Sequence, residues 1–158
     1  MNGKLVLAVI GCVVALVGAV AAQEPAAPQA SPFVGAEACK ECHENYFAAW
    51  SDTKHSKSLN RLSTADREGG QCIRCHVTGT PETIAAEGAK PSLPGVQCEA
   101  CHGAGRAHVD GARAGTGKGN ITQKPDENNC ARCHNPNSPH YRPFFYAAMT
   151  GLVHRVKK

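Results

Sequence analysis

Aromatic residues are scarce in this sequence, and charged residues are also few. The 158 residues include four Phe, three Tyr and one Trp, and 19% of the residues are charged. So few aromatic side chains leave little material for an ordinary close-packed core, yet the composition is not polar enough for a typical disordered chain. The length allows one domain rather than several. The formal net charge of +4 is too small to indicate nucleic-acid binding.

Cysteine, by contrast, is abundant. Nine cysteines occur in this short chain, and a cytosolic protein of this size would rarely carry so many thiols. Three explanations compete: a disulfide scaffold, a zinc protein, or a protein with a covalently attached cofactor. In each of them, something other than side-chain packing stabilises the chain.

The N-terminus has the pattern of a secretory signal peptide. A short positive segment, residues 1–4, precedes an apolar run over 5–22 that ends in small residues, so cleavage is predicted after Ala21 or Ala22. An uncleaved membrane anchor is the alternative, although the run is at the lower length limit for spanning. A lipoprotein site at Cys12 fits less well, because the residues after it remain apolar.

The predicted organisation is therefore a signal peptide over 1–22, an Ala/Pro-rich linker over 23–32 and one domain over 33–158. Removal of the signal takes Cys12 with it and leaves eight cysteines, which is an even number with no spare thiol.

These eight cysteines form four copies of one pattern, C-x-x-C-H. The copies, called here the first to fourth motifs, are Cys39-Lys40-Glu41-Cys42-His43, Cys72-Ile73-Arg74-Cys75-His76, Cys98-Glu99-Ala100-Cys101-His102 and Cys130-Ala131-Arg132-Cys133-His134.

C-x-x-C-H is the attachment signature of c-type haem. Two thiols form thioether bonds to the vinyl groups of one porphyrin, and the adjacent histidine supplies the proximal nitrogen to iron. Zinc also binds C-x-x-C pairs, but it does not require a histidine directly after the second cysteine. A disulfide framework explains the even count but not the histidines. The sequence thus predicts four covalent c-type haems as cofactors, with all eight cysteines as attachment points.

The spacing of the motifs predicts the architecture. They begin at residues 39, 72, 98 and 130, and the segments between them are too short to wrap each haem separately. We therefore expect the haems to touch or nearly touch, with the polypeptide forming a shell around them. This arrangement would replace the missing aromatic core.

Four histidines are proximal-ligand candidates: His43, His76, His102 and His134. Another four, His55, His108, His154 and His140, are candidates for the distal positions. His55 ends a stretch without Pro or Gly that is predicted to be helical from His43 onward, which carries it about 18 Å away and towards a neighbouring haem. His108 follows two glycines that permit a sharp bend, and His154 follows an apolar run that can fold back. His140 lies in a turn, where a histidine is more often exposed than ligating.

The haem at His76 differs from the others, because the loop rich in Gly, Pro and small residues that follows it contains no histidine. If one iron lacks a sixth protein ligand, it is this one. Met149 is the single methionine left after signal removal, and we expect it to pack rather than to ligate.

The context of the motifs resembles the cytochrome c-554 family of tetrahaem periplasmic cytochromes. The stretches that carry the resemblance are Val34-Gly35 before the first motif, Trp50 and Thr53-Lys54-His55-Ser56 after it, CIRCHVTG at 72–79, Gly95-Val96-Gln97 with CEACHGAGRAH at 98–108, and CARCHNPNSP at 130–139. They extend over most of the chain from Phe33 onward.

The resemblance implies an all-α or irregular fold, a helical shell around four closely packed haems with little or no sheet. It further implies bis-histidine ligation at three haems, with His55, His108 and His154 as distal ligands, and a five-coordinate iron at His76. Members of that family carry electrons in the periplasm. The segment between the third and fourth motifs, 109–129, is shorter than expected for the family and rich in glycine.

The leading functional prediction is a periplasmic electron-transfer protein that exchanges electrons with other periplasmic redox proteins. We predict no catalytic residues, because the chain contains no Ser-His-Asp arrangement and no phosphate loop. The alternative is a reductase of nitric oxide, nitrite or hydroxylamine at the His76 haem, where Arg74 or Lys90 could stabilise an anion. A zinc-bound structural module is the third class, and it requires that haem attachment fail.

Overall fold

The computed structural model describes residues 30–117, 119, 121–153 and 155. The predicted signal peptide and most of the predicted linker lie outside this part of the chain, and so does His154. In the described part, no helix is long and apolar enough to cross a membrane.

Short helices joined by turns make up the fold. The α-helices are α1 (Ala36–Lys40), α2 (Glu44–Ser51), α3 (Thr64–Glu68), α4 (Pro81–Glu87), α5 (Cys98–His102), α6 (Arg106–Ala114), α7 (Glu127–Ala131) and α8 (Tyr146–Val153), and two 3₁₀ turns span Leu59–Arg61 and Ile73–Cys75. Within the described residues there is no strand, only an isolated bridge between Val77 and Pro94. The prediction of a helical fold with little or no sheet is confirmed.

The stretch after His43 is less helical than its composition predicts. Helix α2 ends at Ser51 and does not continue to His55. The hydroxyl of Thr53 donates to the carbonyl of Trp50 at 2.7 Å, and the hydroxyl of Ser56 donates to the carbonyl of Ser51 at 2.7 Å. Such local side-chain bonds compete with the helical ladder, so the chain turns and His55 leaves the axis of α2.

The hydrophobic core is small. The buried apolar side chains of the described residues are Ala36, Trp50, Leu59, Ile73, Val77, Ile84 and Val109. Four of these form one cluster around the second motif: Leu59, Ile73, Val77 and Ile84. Most helices therefore make little apolar contact with one another through protein atoms alone, which agrees with a chain whose packing depends on a bound apolar group.

Candidate functional site

Each C-x-x-C-H motif forms a single helical turn. In the first and fourth motifs, the amide of the histidine donates to the carbonyl of the first cysteine at 2.9 Å, in the pairs His43 to Cys39 and His134 to Cys130. The third motif is helix α5 itself, and the second closes as the 3₁₀ turn Ile73–Cys75. Because residues three apart in a helical turn lie on one side, both thiols of a motif can reach the same porphyrin edge.

The four motifs are also neighbours in space. The thiols of Cys39 and Cys98 lie close enough for each to shift the pKa of the other, so the first motif is next to the third. The thiols of Cys75 and Cys133 interact in the same way, so the second motif is next to the fourth.

The third and fourth motifs are joined through backbone carbonyls. Asn129 donates from its side-chain amide to the carbonyl of Cys101 at 3.3 Å, and Arg132 donates to the carbonyl of Ala100 at 2.8 Å. Contact therefore runs from the first motif to the third, then to the fourth, then to the second.

The thiol contacts perturb the titration of the cysteines. Hydrogen bonding to Cys133 lowers the pKa of Cys75 to about 6, despite opposing desolvation, while the same bond raises the pKa of Cys133. Hydrogen bonding to Cys98 likewise lowers the pKa of Cys39, and the pKa of Cys98 is raised. The lowered pKa values of Cys39 and Cys75 favour the thiolate, the nucleophilic form of cysteine, at one thiol of each pair.

Two alternatives from the sequence do not fit this geometry. All eight motif cysteines are free thiols rather than disulfides. The acidic, histidine and cysteine side chains in the described ranges form no group of three or more that could hold a metal ion. Tetrahedral zinc sites built from paired motifs therefore have no donor set here, whereas a haem iron requires only one or two axial ligands from the protein.

His76 and His102 are each held by one other residue at two points. The Nδ1–H of His76 donates to the carbonyl of Ser58 at 2.8 Å, and the hydroxyl of Ser58 donates to the carbonyl of His76 at 2.9 Å. The Nδ1–H of His102 donates to the carbonyl of Thr122 at 2.6 Å, and the amide of Thr122 donates to the carbonyl of His102 at 2.9 Å. The bond at Nδ1 fixes the ring orientation of each histidine and makes Nε2 the ring nitrogen that is suited to bind a metal.

Two pairs of histidine rings lie close together. The ring centroids of His43 and His108 lie 6.3 Å apart, with an interplanar angle of 19°. Those of His55 and His134 lie 6.0 Å apart, at 54°. Two metal–nitrogen bonds of about 2 Å, plus about 1 Å from each nitrogen to its ring centre, give about 6 Å for two imidazoles on one iron. Both centroid separations are therefore compatible with two imidazoles bound to one metal ion.

The surroundings of the second pair suit ligation. Burial lowers the pKa of His55, and the charge of His134 lowers it further. The neutral imidazole, which is the metal-binding form, is therefore favoured. The ring of Phe144 stacks on that of His134 at 4.9 Å and covers its flank.

The remaining candidates are placed differently. Among the described residues, no imidazole or other aromatic ring stacks against His76. His140 is exposed, and it lies close enough to Asp66 for its charge to act on that carboxylate. Met149 is 37% exposed on α8. Arg74 is exposed and contacts the thiol of Cys75, and Lys90 is also exposed.

The sequence did not single out Ser58 or Thr122 as functional residues. Neither belongs to a motif, and each acts mainly through a backbone carbonyl, which every residue possesses. The one available signal was indirect: a ligating histidine normally gives its second ring nitrogen to some acceptor.

The haem hypothesis can be compared with known proteins. The family model for cytochrome c554 and c-prime matches residues 38–103. Cytochrome c-554 of Nitrosomonas europaea is 30% identical over 136 residues, which cover 66% of this chain and 58% of that protein. The match thus spans less than two thirds of the relative's length. The reduced state of cytochrome c554 from the same organism superimposes with a TM-score of 0.48 and 26% identity, over 77% of this chain and 78% of that chain.

The matched region contains the first three motifs and the connections between them, whereas Val34-Gly35 and CARCHNPNSP at 130–139, which also carried the resemblance, lie outside it. Residues 38–103 thus match the family model of cytochrome c554 and c-prime, and the identity to cytochrome c-554 supports the same family, whose members are c-type cytochromes with covalently bound haem.

Proposed function

We propose that this chain is a periplasmic electron-transfer protein with four covalent haems, one at each motif. The observation that carries the proposal is the proximity of His43 to His108 and of His55 to His134, with centroid separations that match those of two imidazoles bound to one iron. Irons with a histidine on each face change oxidation state without opening a coordination position, which suits transfer rather than chemistry.

Each proposed role falls to named side chains. The cysteines of the motifs attach the porphyrins, and His43, His76, His102 and His134 are the proximal ligands. His108 is the distal ligand at the first motif and His55 the distal ligand at the fourth. His154, which lies outside the described residues, remains the candidate for the third. When bound, the haems supply one-electron cycling of iron between its ferric and ferrous states.

The contacts between motifs support a continuous path for electrons. Neighbouring attachment sites follow the order first, third, fourth, second. The two ends of this order, near His43 and near His76, are then the natural points of exchange with donor and acceptor proteins. The predicted signal peptide supports a periplasmic location, where haem attachment and such partners are found.

The proposal is tested on the purified mature protein by a denaturing haemochrome assay and by the visible and electron paramagnetic resonance spectra. We expect four haems per chain and mostly low-spin iron. In H108A, about one haem in four should become high-spin, because the first iron loses its distal ligand. H140A is the matched control, since His140 is exposed and faces no other histidine ring among the described residues. Fewer than four haems, or the same high-spin fraction in both variants, would refute the assignment.

A second function is favoured by one observation, the lack of a facing imidazole at His76 within the described ranges. We propose, as the alternative, that the haem at His76 binds and reduces a small molecule such as nitric oxide, nitrite or hydroxylamine. Ser58 orients His76 from the proximal side, and Arg74 lies beside the attachment cysteine.

Addition of nitric oxide or cyanide to the purified protein tests the alternative. If the site is open, a spectral change should saturate at one ligand per chain, and R74Q should weaken the binding of cyanide more than that of uncharged nitric oxide. An unchanged low-spin spectrum with both ligands would remove this function and leave the electron carrier intact.

A further inference from the structure

Glu99, the second residue of the third motif, has a buried carboxylate. Its residue is 2% exposed. The amide of Val34 donates to both of its oxygens, at 2.9 and 3.2 Å, and the amides of Gly35 and Gly105 donate at 2.8 and 2.7 Å. No Lys, Arg or His of the described residues forms an ion pair with it. The negative charge is therefore stabilised by backbone dipoles alone.

The surroundings are shaped around this carboxylate. A Cβ atom added to Gly105 would lie 2.9 Å from Oε1 of Glu99, so glycine is what permits the close approach of the amide. Because Val34 and Gly35 precede α1, these hydrogen bonds also fasten the first motif to the third.

Fastening alone does not require a charge. Two residues earlier, Gln97 performs the same task with a neutral amide, because its Oε1 accepts from the amide of Ala36 at 2.7 Å. Burial of a carboxylate without a cation costs considerably more than burial of an amide. The difference between Gln97 and Glu99 is a negative charge, and that charge acts on the sulfur atoms of both Cys39 and Cys98.

We propose that Glu99 is a positioning residue that holds a fixed negative charge between the haem sites of the first and third motifs and so lowers their reduction potentials. This inference rests on the proposed function, since it needs haems at both motifs. In the reaction concerned, a ferric iron takes one electron from a reduced donor protein and becomes ferrous, with no bond broken and no proton moved. A nearby anion stabilises the ferric form, which carries one more positive charge.

The consequence is directional. The negative charge makes reduction of the haems at the first and third motifs less favourable than reduction of those at the fourth and second. Electrons should therefore move from the first motif through the third and fourth to the second, which contains His76. Removal of one unscreened charge from beside an iron should change its ferric-to-ferrous equilibrium about tenfold, which for a one-electron couple equals about 59 mV.

The test is a spectroelectrochemical titration of the four-haem protein and three variants. E99Q keeps the size and removes the charge, and it should raise the midpoint potentials of one or two haems by about 59 mV. E99D keeps the charge and should leave the potentials close to those of the unaltered protein. E41Q is the matched control, because Glu41 also lies inside a motif but its side chain is 55% exposed, so solvent screens it. Its potentials should hardly move.

The outcomes separate this inference from the proposed function. Fewer than four haems in the unaltered protein would refute the tetrahaem proposal. Four haems with unchanged potentials in E99Q would overturn only the role of Glu99, as would equal shifts in E99Q and E99D, which indicate geometry rather than charge.

If E99Q does not incorporate its haems, Q97E tests the same reasoning with the opposite sign. A second buried negative charge beside the same two motifs should lower the midpoint potentials of their haems. The shift should correspond to about a tenfold change in the ferric-to-ferrous equilibrium constant. Unchanged potentials in Q97E, or a loss of haem in both variants, would assign the two residues to folding alone and overturn the proposal.

Discussion

Gly95 lies against the turn that carries His55, and its replacement by alanine tests how that histidine is positioned. A Cβ atom at Gly95 would lie 2.6 Å from the carbonyl oxygen of Ser56 and 3.3 Å from that of His55, and its φ is +85°. Gly115, after α6, offers a matched control. Its φ is +67°, and an added Cβ would meet no atom within 4 Å.

The two substitutions share one cost and differ in another. Alanine in the left-handed region costs about 1–2 kcal/mol in either position. G95A adds the displacement of a backbone carbonyl from a packed contact, which costs about 1–3 kcal/mol more. We therefore expect a loss of about 2–5 kcal/mol in the free energy of unfolding for G95A and of about 1–2 kcal/mol for G115A.

The displacement that G95A causes should also change the spin state of one haem. The amide of Val96 donates to the carbonyl of His55 at 2.9 Å, so a shift of this contact moves the histidine relative to His134. In G95A we expect about one haem in four to become high-spin, whereas G115A should keep the spectrum of the unaltered protein.

Denaturant unfolding followed by far-ultraviolet circular dichroism gives the stabilities, and the visible spectrum gives the spin state. Equal destabilisation by G95A and G115A would refute the argument from close approach. Greater destabilisation of G95A without any high-spin iron would refute the link between this contact and His55.

Three further predictions concern polar contacts. T78V should lose about 2–3 kcal/mol in the free energy of unfolding, because the buried hydroxyl of Thr78 accepts from the amide of Gln97 at 2.8 Å and valine leaves that amide unpaired; T78S should recover most of the loss. R113A should lose only a little stability, and less at high salt, because its ion pair with Glu41 at 2.6 Å is half exposed and solvent screens it. The pKa of Asp66 is lowered by hydrogen bonds from Ser63, so its contribution is present above pH about 4 and is lost as the pH falls through the folded-state value.

For each of these three predictions, one result would contradict the reasoning. Identical stability of T78V and T78S in denaturant would show that the hydroxyl is not needed. A salt-independent loss in R113A would show that packing, not charge, was removed. D66N should abolish the Asp66 part of the decline in stability between pH 5 and pH 3, and an unchanged decline relative to the unaltered protein would show that this carboxylate does not contribute to it.

From the sequence, the site was predictable only where a chemical role is encoded by the spacing of residues close together in the chain. The four motifs and their histidines follow from C-x-x-C-H alone, and a distance of about 18 Å along a helix already argued that His55 serves a haem other than that of His43. That the ring of His55 lies beside that of His134 depends on how two distant segments pack. The segment 43–55 was predicted to be helical throughout, but α2 ends at Ser51. The helix stops because the hydroxyl groups of Thr53 and Ser56 bind backbone carbonyls and compete with the helical hydrogen bonds.

The contacts that orient the histidines could be predicted from the sequence even less well. Ser58 and Thr122 act through main-chain carbonyls, which have no sequence signature. Glu99 could be read only as one acidic residue inside a motif, indistinguishable from Glu41, since burial decides the difference between them. One is 2% exposed and the other's side chain is 55% exposed.

Trp50 provides a spectroscopic consequence of the fold. It is the single tryptophan of the chain, it is 9% exposed, and its indole N–H donates to the carbonyl of Val96 at 2.8 Å. Porphyrins absorb where indole emits, so energy transfer should keep the fluorescence of the folded protein dark. Because the haem of the first motif would be attached at Cys42, eight residues before Trp50, emission should return only when the chain expands on global unfolding. The single tryptophan thus provides an unlabelled optical reporter of the unfolding of the whole chain.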